Sequence, residues 1–260
     1  MKISDKLIKA AILDMDGVLW RLNHPLCNLE ELFKNFNDQH IKVVLATNNG
    51  THTVEDYLKK LSGFGVQLQD WQIVTSSMAL AYLVKKYFIK GGPIYITGSA
   101  ALHETLKENG FYHSQEDALA VVSGLDWEFN YSMIKNTSLM IQKGLPFFFT
   151  NPDPTYPTPD GNVPGAGTFL AALEAASGSK AQLAGKPEPF LFELAMQRMQ
   201  SSPDETMVIG DRLNTDILGG YNAGCPTVFV LSGINSKKDL LNWHPQPDLT
   251  IDNVSDLFPK

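Results

Sequence analysis

The chain has 260 residues, 43% of them hydrophobic, and a formal net charge of −7 at pH 7. This composition excludes intrinsic disorder, and the acidic balance argues against a general nucleic-acid binder, because phosphate contacts need a cationic surface. No apolar run approaches the ~20 residues of a membrane span, and no signal-peptide pattern follows the polar N-terminus. Cys27 and Cys225 are too few for a disulfide framework. We therefore expect a cytoplasmic protein without nucleic-acid or membrane partners.

Short apolar runs that stop abruptly at polar residues predict strands of a parallel sheet. The runs are too short for helices and do not alternate with polar residues, which is typical of strands buried on both faces. They cover residues 10–13, 41–46 and 207–210, and they stop at Asp14, Thr47 and Asp211. Helical patterns lie between them. The sequence therefore predicts an α/β fold with a doubly wound parallel sheet.

Capping residues mark the expected helix boundaries. Asn28 is expected to cap one helix, and a second helix is expected over residues 53–63. After the last apolar run, Asn214 or Thr215 is expected to cap a helix that runs to Ala223.

The middle of the chain repeats the alternation of strands and helices without polar strand ends. Strands are expected at residues 94–97, 119–123 and 146–150, and helices at 100–109, 130–143 and 168–177, with a loop rich in Pro, Asp and Gly at 151–167. This segment is large enough to bury a core of its own. We expect a catalytic core at residues 1–77 and 181–260, and an inserted α/β domain at residues 78–180.

Acidic side chains collect at the predicted carboxyl ends of the strands, where open α/β sheets bind ligands. Asp14 and Asp16 stand two residues apart, so both lean to one side of an extended chain, and Gly17 permits a sharp turn after them. Asp211 follows another strand, and Asp216 is expected in the first turn of the next helix. Four carboxylates this close would repel one another, and a hard cation such as Mg²⁺ removes the conflict.

Three further residues add groups that bind phosphate. Lys186 supplies a compact positive charge before a predicted helix, and Thr47 and Asn48 supply hydrogen-bond donors. A carboxylate nucleophile, magnesium, a lysine and a hydroxyl together are what phosphoryl transfer needs.

Four short motifs carry these residues, in the order Asp14-x-Asp16-Gly17, Thr47-Asn48, Gly185-Lys186-Pro187, and Gly210-Asp211 with Asp216 five residues further on. They resemble the four motifs of the haloacid dehalogenase-like superfamily. The Asp-x-Asp form resembles its phosphatases, because its dehalogenases lack the second aspartate. Segments of the insert are similar to the NagD-like, 4-nitrophenylphosphatase and phosphoglycolate phosphatase branch; they lie at residues 121–126, 150–153, 164–167 and 173–178.

The resemblance implies a Rossmann-like core with a large inserted cap, and a magnesium-dependent phosphatase of small phosphomonoesters. Asp14 would attack phosphorus to form an aspartyl-phosphate, and Asp16 would protonate the leaving oxygen and then activate water. Thr47 and Asn48 would hold the phosphoryl group, while Lys186 would neutralise its charge and orient Asp14.

The resemblance also implies how magnesium would be bound. The carboxylate of Asp14, the backbone carbonyl of Asp16 and the carboxylate of Asp211 would be its ligands. Asp216 would stand behind these ligands without touching the ion.

Two other functions are weighed against the phosphatase. A phosphotransferase or mutase would use the same chemistry with a different acceptor. A receiver-like regulatory module also uses strand-end aspartates and magnesium, but it would need only about 120 residues and no partner such as Asp16 for acid–base work.

The expected partner is a small phosphorylated metabolite whose identity the motifs leave open, and a homodimer is left open because caps of this family sometimes dimerise. Trp20 is expected either to line the entrance of the site or to pack beneath the cap. Asp153 and Tyr156, in the Pro-rich loop, are candidates for contact with the leaving group.

Overall fold

The computed structural model describes residues 1–3, 5–158 and 160–258. The chain forms two compact units. The first contains residues 1–47, 54–74 and 186–260, and the second contains residues 48–53 and 75–185. No helix in the described part of the chain is long and apolar enough to cross a membrane.

The strands, in chain order, are β1 (Lys2–Ile3), β2 (Lys6–Leu7), β3 (Ala10–Leu13), β4 (Trp20–Arg21), β5 (His24–Pro25), β6 (Lys42–Thr47), β7 (Ile73–Thr75), β8 (Gly92–Thr97), β9 (Phe111–His113), β10 (Val121–Ser123), β11 (Phe147–Phe149), β12 (Thr155–Thr158), β13 (Gly161–Pro164), β14 (Gln182–Leu183), β15 (Thr206–Gly210), β16 (Thr227–Val230) and β17 (Leu249–Ile251). The helices are α1 (Leu29–Asp38), α2 (Val54–Gly63), α3 (Ser76–Tyr87), α4 (Ala100–Glu108), α5 (Tyr131–Gln142), α6 (Ala166–Ser177), α7 (Phe190–Met199), α8 (Leu218–Asn222) and α9 (Lys237–Leu240).

The first unit is built on a six-stranded sheet in the order β17-β16-β15-β3-β6-β7. The central strand β3 pairs in parallel with β15 on one side and with β6 on the other, so Ile12 lies between Val208 and Val44. The strand order reverses here, because the chain leaves β3 towards β6 and returns on the other side at β15. Ligands of open α/β sheets bind beyond the strand ends at such a reversal.

Helices cover both faces of this sheet. Ala11 and Leu13 share a core with buried side chains of α1 and α2. Because successive residues of a strand point to opposite faces of the sheet, Ala10 and Ile12 lie on the other face, and they are also buried. Helix α7 contacts both β3 and β6. The prediction of a doubly wound, Rossmann-like parallel sheet is confirmed.

Two predicted helix boundaries in this unit are present. Asn28 Oδ1 accepts a hydrogen bond of 3.2 Å from the backbone N–H of Glu31, so it caps α1 as expected. Helix α2 ends at Gly63, as its pattern predicts.

The second unit has a five-stranded sheet of its own, in the order β14-β11-β10-β8-β9, with every pair parallel. Its core includes Tyr95, Val121, Phe149 and Leu173 from strands and helices of this unit alone. The middle segment is therefore an α/β unit with its own core.

The limits of this unit differ from the expected residues 78–180. The unit starts at Thr75, because the side chain of Thr75 caps α3 by accepting from the N–H of Met78. It ends at Gly185, because β14 is paired with β11 and completes the sheet. It also takes in residues 48–53, which follow β6 in the chain.

The segment at 151–167 is not the open loop that its composition predicts. Strands β12 and β13 form an antiparallel hairpin within it, and Pro159 lies outside the described residues. Helix α6 starts at Ala166, with Gly165 as its N-cap residue, and not at Thr168. A Cβ on Gly167 would lie 2.1 Å from the carbonyl oxygen of Pro152, so the missing side chain lets the first turn form against this backbone.

Candidate active site

Three carboxylates meet at the carboxyl edge of the six-stranded sheet. Asp14 follows β3 and Asp211 follows the adjacent strand β15, and the N–H of Asp14 donates 2.9 Å to the carbonyl of Ile209. Asp216 completes the group, in which one oxygen from each carboxylate lies within 4.8 Å of the others. The structure therefore brings together three of the four aspartates expected there.

Lys186 lies at the centre of this cluster. Its Nζ donates 2.6 Å to Asp14 Oδ1 and 2.7 Å to Asp216 Oδ1, and its side chain is only 3% exposed. Burial alone would lower the pKa of Lys186, but the carboxylates of Asp14 and Asp216 outweigh burial and raise it. Lys186 therefore stays positively charged and holds two of the carboxylates in place.

One ammonium group does not balance three carboxylates. Burial raises the pKa of Asp14 well above its usual range, and the charges of Asp216 and Asp211 add to this against the opposing effect of Lys186. Burial, together with the charge of Asp216, raises the pKa of Asp211 to about 6. The cluster thus carries an excess of negative charge that a divalent cation would relieve.

The hydrogen bonds of Asp211 also fit a cation. Its Oδ2 accepts 2.6 Å from the backbone N–H of Ile234, whereas its Oδ1 is buried and has no hydrogen-bond partner among the residues that the structure describes. Buried carboxylate oxygens are normally paired, so such an atom calls for an explanation. A hard cation with oxygen ligands supplies one, and the donor set fits Mg²⁺.

Two glycines give Asp211 the room that it occupies. Gly17 has a φ of +85°, and a Cβ there would lie 2.4 Å from Asp211 Oδ2. A Cβ on Gly233 would lie 1.9 Å from the same oxygen. Any side chain at either position would displace the carboxylate, so Gly17 serves both the turn after Asp16 and the approach of Asp211.

The helical segment after Asp211 starts differently from the prediction. It begins at Leu213 with a π-helical turn, in which the N–H of Ile217 reaches the carbonyl of Arg212, and neither Asn214 nor Thr215 caps it. The N–H of Arg212 is bound instead by Asp216 Oδ2 at 3.1 Å. Asp216 thus fixes the helix start with one oxygen and Lys186 with the other.

A loop that sequence reasoning missed supports this arrangement. Ile234 binds Asp211, and Asn235 Oδ1 accepts 2.9 Å from the N–H of Leu213. This loop follows β16, which lies next to β15 in the sheet. Ser232 and Gly233, which end that apolar run, were the available signal, since ligands bind beyond the carboxyl ends of all parallel strands in such a sheet.

Asp16 is exposed and lies in the turn after Asp14. Its Oδ1 accepts 3.0 Å from the indole Nε1–H of Trp20. Trp20 is buried, at 1% exposure, and its ring lies 6.0 Å from that of Phe64 between centroids. The side chain of Trp20 therefore packs in the first unit and does not stand at a solvent-exposed entrance.

Thr47 and Asn48 fall in different units of the structure. Thr47 is buried and ends β6, the neighbour of β3. Asn48 belongs to the second unit, where its Nδ2 donates 3.0 Å to Asp153 Oδ2 and its carbonyl accepts 2.7 Å from Asn151. The next residue, Asn49, donates 3.1 Å to the hydroxyl of Tyr156. Asp153 and Tyr156 thus hold the segment that directly follows Thr47.

Known proteins resemble the chain along nearly its full length. Family models described as haloacid dehalogenase-like hydrolase and HAD-hydrolase-like match residues 11–112 and 183–257. Ribonucleotide monophosphatase NagD of Escherichia coli (strain K12) is 32% identical over 250 residues, covering 96% of this chain and 98% of that protein. 5'-Nucleotidase YutF of Bacillus subtilis (strain 168) is 29% identical over 254 residues, covering 98% and 99%.

Solved structures agree with these relatives. NagD from the Escherichia coli K-12 strain superposes with a TM-score of 0.90 over 96% of this chain and 98% of that chain, at 32% identity. A glycerol phosphate phosphatase of Mycobacterium tuberculosis in complex with magnesium has a TM-score of 0.90 at 28% identity, covering 99% of this chain and 78% of that chain. The chain therefore belongs to the haloacid dehalogenase-like hydrolases, as a phosphomonoester hydrolase of their NagD-like branch.

Proposed function

We propose that this hydrolase is a magnesium-dependent phosphatase of a small metabolite, with Asp14 as the nucleophile that forms an aspartyl-phosphate. The observation that carries the proposal is the group of Asp14, Asp211 and Asp216 within 4.8 Å, bridged by Lys186. Within this group the side chain of Asp14 is 14% exposed, whereas that of Asp216 is 2% exposed and Asp211 is buried. The greater exposure of Asp14 supports its proposed role as the nucleophile.

The reaction would proceed in two steps. In the first, a carboxylate oxygen of Asp14 bonds to phosphorus, the bond between phosphorus and the leaving oxygen breaks, and Asp16 gives that oxygen a proton. In the second, Asp16 takes a proton from water, the water oxygen attacks phosphorus, and inorganic phosphate leaves Asp14. Lys186 would orient Asp14, and Thr47 and Asn48 would bind the phosphoryl oxygens.

The carboxylates of Asp14 and Asp211, with the backbone carbonyl of Asp16, would hold the magnesium ion. When bound, Mg²⁺ would neutralise the carboxylates and polarise the phosphoryl group. Both oxygens of Asp216 already accept hydrogen bonds, from Lys186 and from Arg212, which supports an indirect role for Asp216.

The test is a panel of phosphomonoesters incubated without any added acceptor, with phosphate and alcohol measured together. A phosphatase releases the two in equal amounts. A phosphotransferase or mutase would release less phosphate until an acceptor is supplied, and a receiver-like module would not turn over. The panel should include ribonucleoside monophosphates and glycerol phosphate, since relatives of the chain carry those names, besides sugar phosphates, phosphoglycolate and pyridoxal phosphate.

We propose that the second unit is a cap that selects the leaving group, with Asp153 and Tyr156 as its contact residues. Their bonds to Asn48 and Asn49 tie them to the proposed phosphate-binding segment. The ring of Tyr156 also meets that of Trp127, whose side chain is exposed, at a centroid distance of 5.4 Å.

Replacing Asp153 or Tyr156 by Ala should therefore change kcat/KM unequally across the panel, by about 10-fold between the most and least affected substrates. The dependence on magnesium should be unchanged. Tyr112→Ala, which removes an exposed tyrosine of the same unit, is the matched control. Equal effects on all substrates, or none, would assign specificity to other residues.

We propose a reducing, cytoplasmic location, which the free thiols Cys27 and Cys225 support. Burial raises the pKa of Cys27 to about 11 and that of Cys225 to about 12, so neither is an activated nucleophile. A homodimer stays a prediction.

A further inference from the structure

The turn after Asp14 folds Trp20 back onto Asp16. The N–H of Gly17 donates 2.8 Å to the carbonyl of Trp20, and the N–H of Trp20 reaches the carbonyl of Met15 at 3.3 Å. Trp20 then starts the short β4–β5 hairpin. Through this turn the indole N–H of a buried ring is directed at Oδ1 of an exposed carboxylate, at 3.0 Å.

Lys60 holds the same indole from its face. Its Nζ lies 4.4 Å from the centroid of the Trp20 ring, where the ring attracts a cation, and it donates 2.8 Å to the carbonyl of Leu22. Burial lowers the pKa of Lys60, and the charge of Asp16 opposes this change. The charges of Lys60 and Asp16 therefore interact, and the indole N–H bonds to Asp16 Oδ1.

An exposed aspartate changes rotamer readily, and acid–base catalysis needs its carboxyl group within hydrogen-bond reach of the reacting oxygen. A bond from an immobile donor fixes one oxygen of Asp16 and thereby the direction of the other. We propose that Trp20 is a positioning residue for Asp16 and that Lys60 supports it by holding the indole. This inference rests on the acid–base role of Asp16 in the proposed function.

The competing explanation is that Trp20 only fills the core and that Asp16 merely satisfies its N–H, as buried indoles require. Leaving-group chemistry separates the two explanations. An alkoxide needs a proton from Asp16 as it leaves, whereas 4-nitrophenolate leaves without one. Misplacing Asp16 therefore lowers kcat/KM for alkyl phosphates selectively, while a general loss of structure lowers it for both.

The first variant is Trp20→Phe, which keeps an aromatic ring and removes the N–H. We expect kcat/KM to fall about 10- to 100-fold for the best alkyl phosphate of the panel and less than about 3-fold for 4-nitrophenyl phosphate. Trp71→Phe is the matched control, because Trp71 Nε1 makes a similar bond of 2.7 Å to Gln69 at the surface. The control should leave both substrates unaffected.

Circular dichroism and thermal unfolding would reveal whether Trp20→Phe reduces folding. The second variant, Lys60→Met, leaves Trp20 in place and therefore tests the same role without changing the core. It should give the same selectivity with a smaller loss, of about 3- to 10-fold for the alkyl phosphate. Its control is Lys85→Met, since Lys85 lies over the Phe111 ring at 5.6 Å and donates 2.8 Å to a backbone carbonyl of the second unit.

The decisive comparison combines Trp20→Phe with Asp16→Asn. If Trp20 acts through Asp16, the double variant has the same kcat/KM as Asp16→Asn, within about 2-fold. A further loss in the double variant, or equal losses on both substrates in the single variant, would overturn the positioning role. Full turnover by Asp16→Asn alone would instead disprove the acid–base role in the proposed function, and the inference with it.

Discussion

Replacing Asp14 by Asn is expected to abolish turnover, with a loss of more than about 10⁴-fold in kcat, because the amide cannot attack phosphorus. The fold should survive the change. Burial and neighbouring carboxylates raise the pKa of Asp14, so its negative charge is unfavourable in the metal-free protein, and an Asn oxygen can still accept from Lys186. Stopped-assay phosphate release and thermal unfolding measure the two quantities. Residual turnover near that of the wild type would remove Asp14 from the nucleophilic role.

Asp16→Asn should behave differently, because the proposed nucleophile Asp14 remains and only the proposed acid–base group is lost. We expect kcat to fall about 10²- to 10⁴-fold, which is the usual contribution of an acid–base group. Asp38→Asn is the control, since Asp38 is an exposed aspartate whose ion pair with Lys34 is a surface contact. If Asp16→Asn and Asp14→Asn lost activity to the same extent on 4-nitrophenyl phosphate and alkyl phosphates alike, their roles could not be distinct.

Removing magnesium is the second change with a large expected effect. EDTA should abolish phosphate release and added Mg²⁺ should restore it, because burial and neighbouring carboxylates raise the pKa values of Asp14 and Asp211, and a bound cation would relieve this repulsion. Full activity in metal-free buffer would contradict the account.

Magnesium should also stabilise the fold, and this readout does not depend on turnover. Saturation at about 100 times Kd adds about 2.7 kcal/mol, or roughly 5–10 °C in Tm for a chain of this size. Asp211→Asn should lose most of this shift in Tm, because it removes the charge of the proposed magnesium ligand, whose Oδ1 has no partner among the described residues. Asp38→Asn is the control, and its Tm should rise on addition of Mg²⁺ as much as that of the wild type.

The pH dependence of this stabilisation follows from Asp211. Its pKa rises from 3.8 to about 6 in the folded protein, so folding favours the protonated form. The metal-free protein therefore loses the corresponding stability as the pH rises from about 4 to about 6, and below about pH 6 Mg²⁺ must displace the proton of Asp211 in order to bind. The Tm shift caused by Mg²⁺ should be larger at about pH 7.5 than at about pH 5. A shift that is equal at both pH values would exclude a titrating ligand.

Local sequence patterns predicted the parts of the fold that depend on neighbouring residues. Asn28 caps α1 through a residue three positions away, and the short apolar runs before Asp14 and Asp211, which are typical of buried parallel strands, form β3 and β15. The meeting of these two aspartates follows from strand order, which the alternation of strands and helices restricts strongly.

The parts that sequence reasoning missed depend on contacts between distant residues. Asp216 binds the N–H of Arg212 because Lys186 and the strand ends fix its position, so the expected caps at Asn214 and Thr215 are not used. The hairpin β12–β13 is rich in Pro and Gly, which hide its strand pattern. The turn at Gly17 was expected, but no periodicity reveals that it brings the indole N–H of Trp20 onto Asp16.

In the proposed reaction the phosphoryl group is bound covalently to Asp14, and trapping this aspartyl-phosphate is the most direct test. Acid quench during turnover preserves an aspartyl-phosphate, and borohydride then reduces it to homoserine. Peptide mass spectrometry identifies the residue that has become homoserine. We expect homoserine at residue 14 in the magnesium-loaded wild type, and none there in Asp14→Asn or in the absence of substrate. Homoserine at another aspartate, or steady turnover with no trapped acyl-phosphate and unimpaired Asp14→Asn activity, would contradict the proposed reaction.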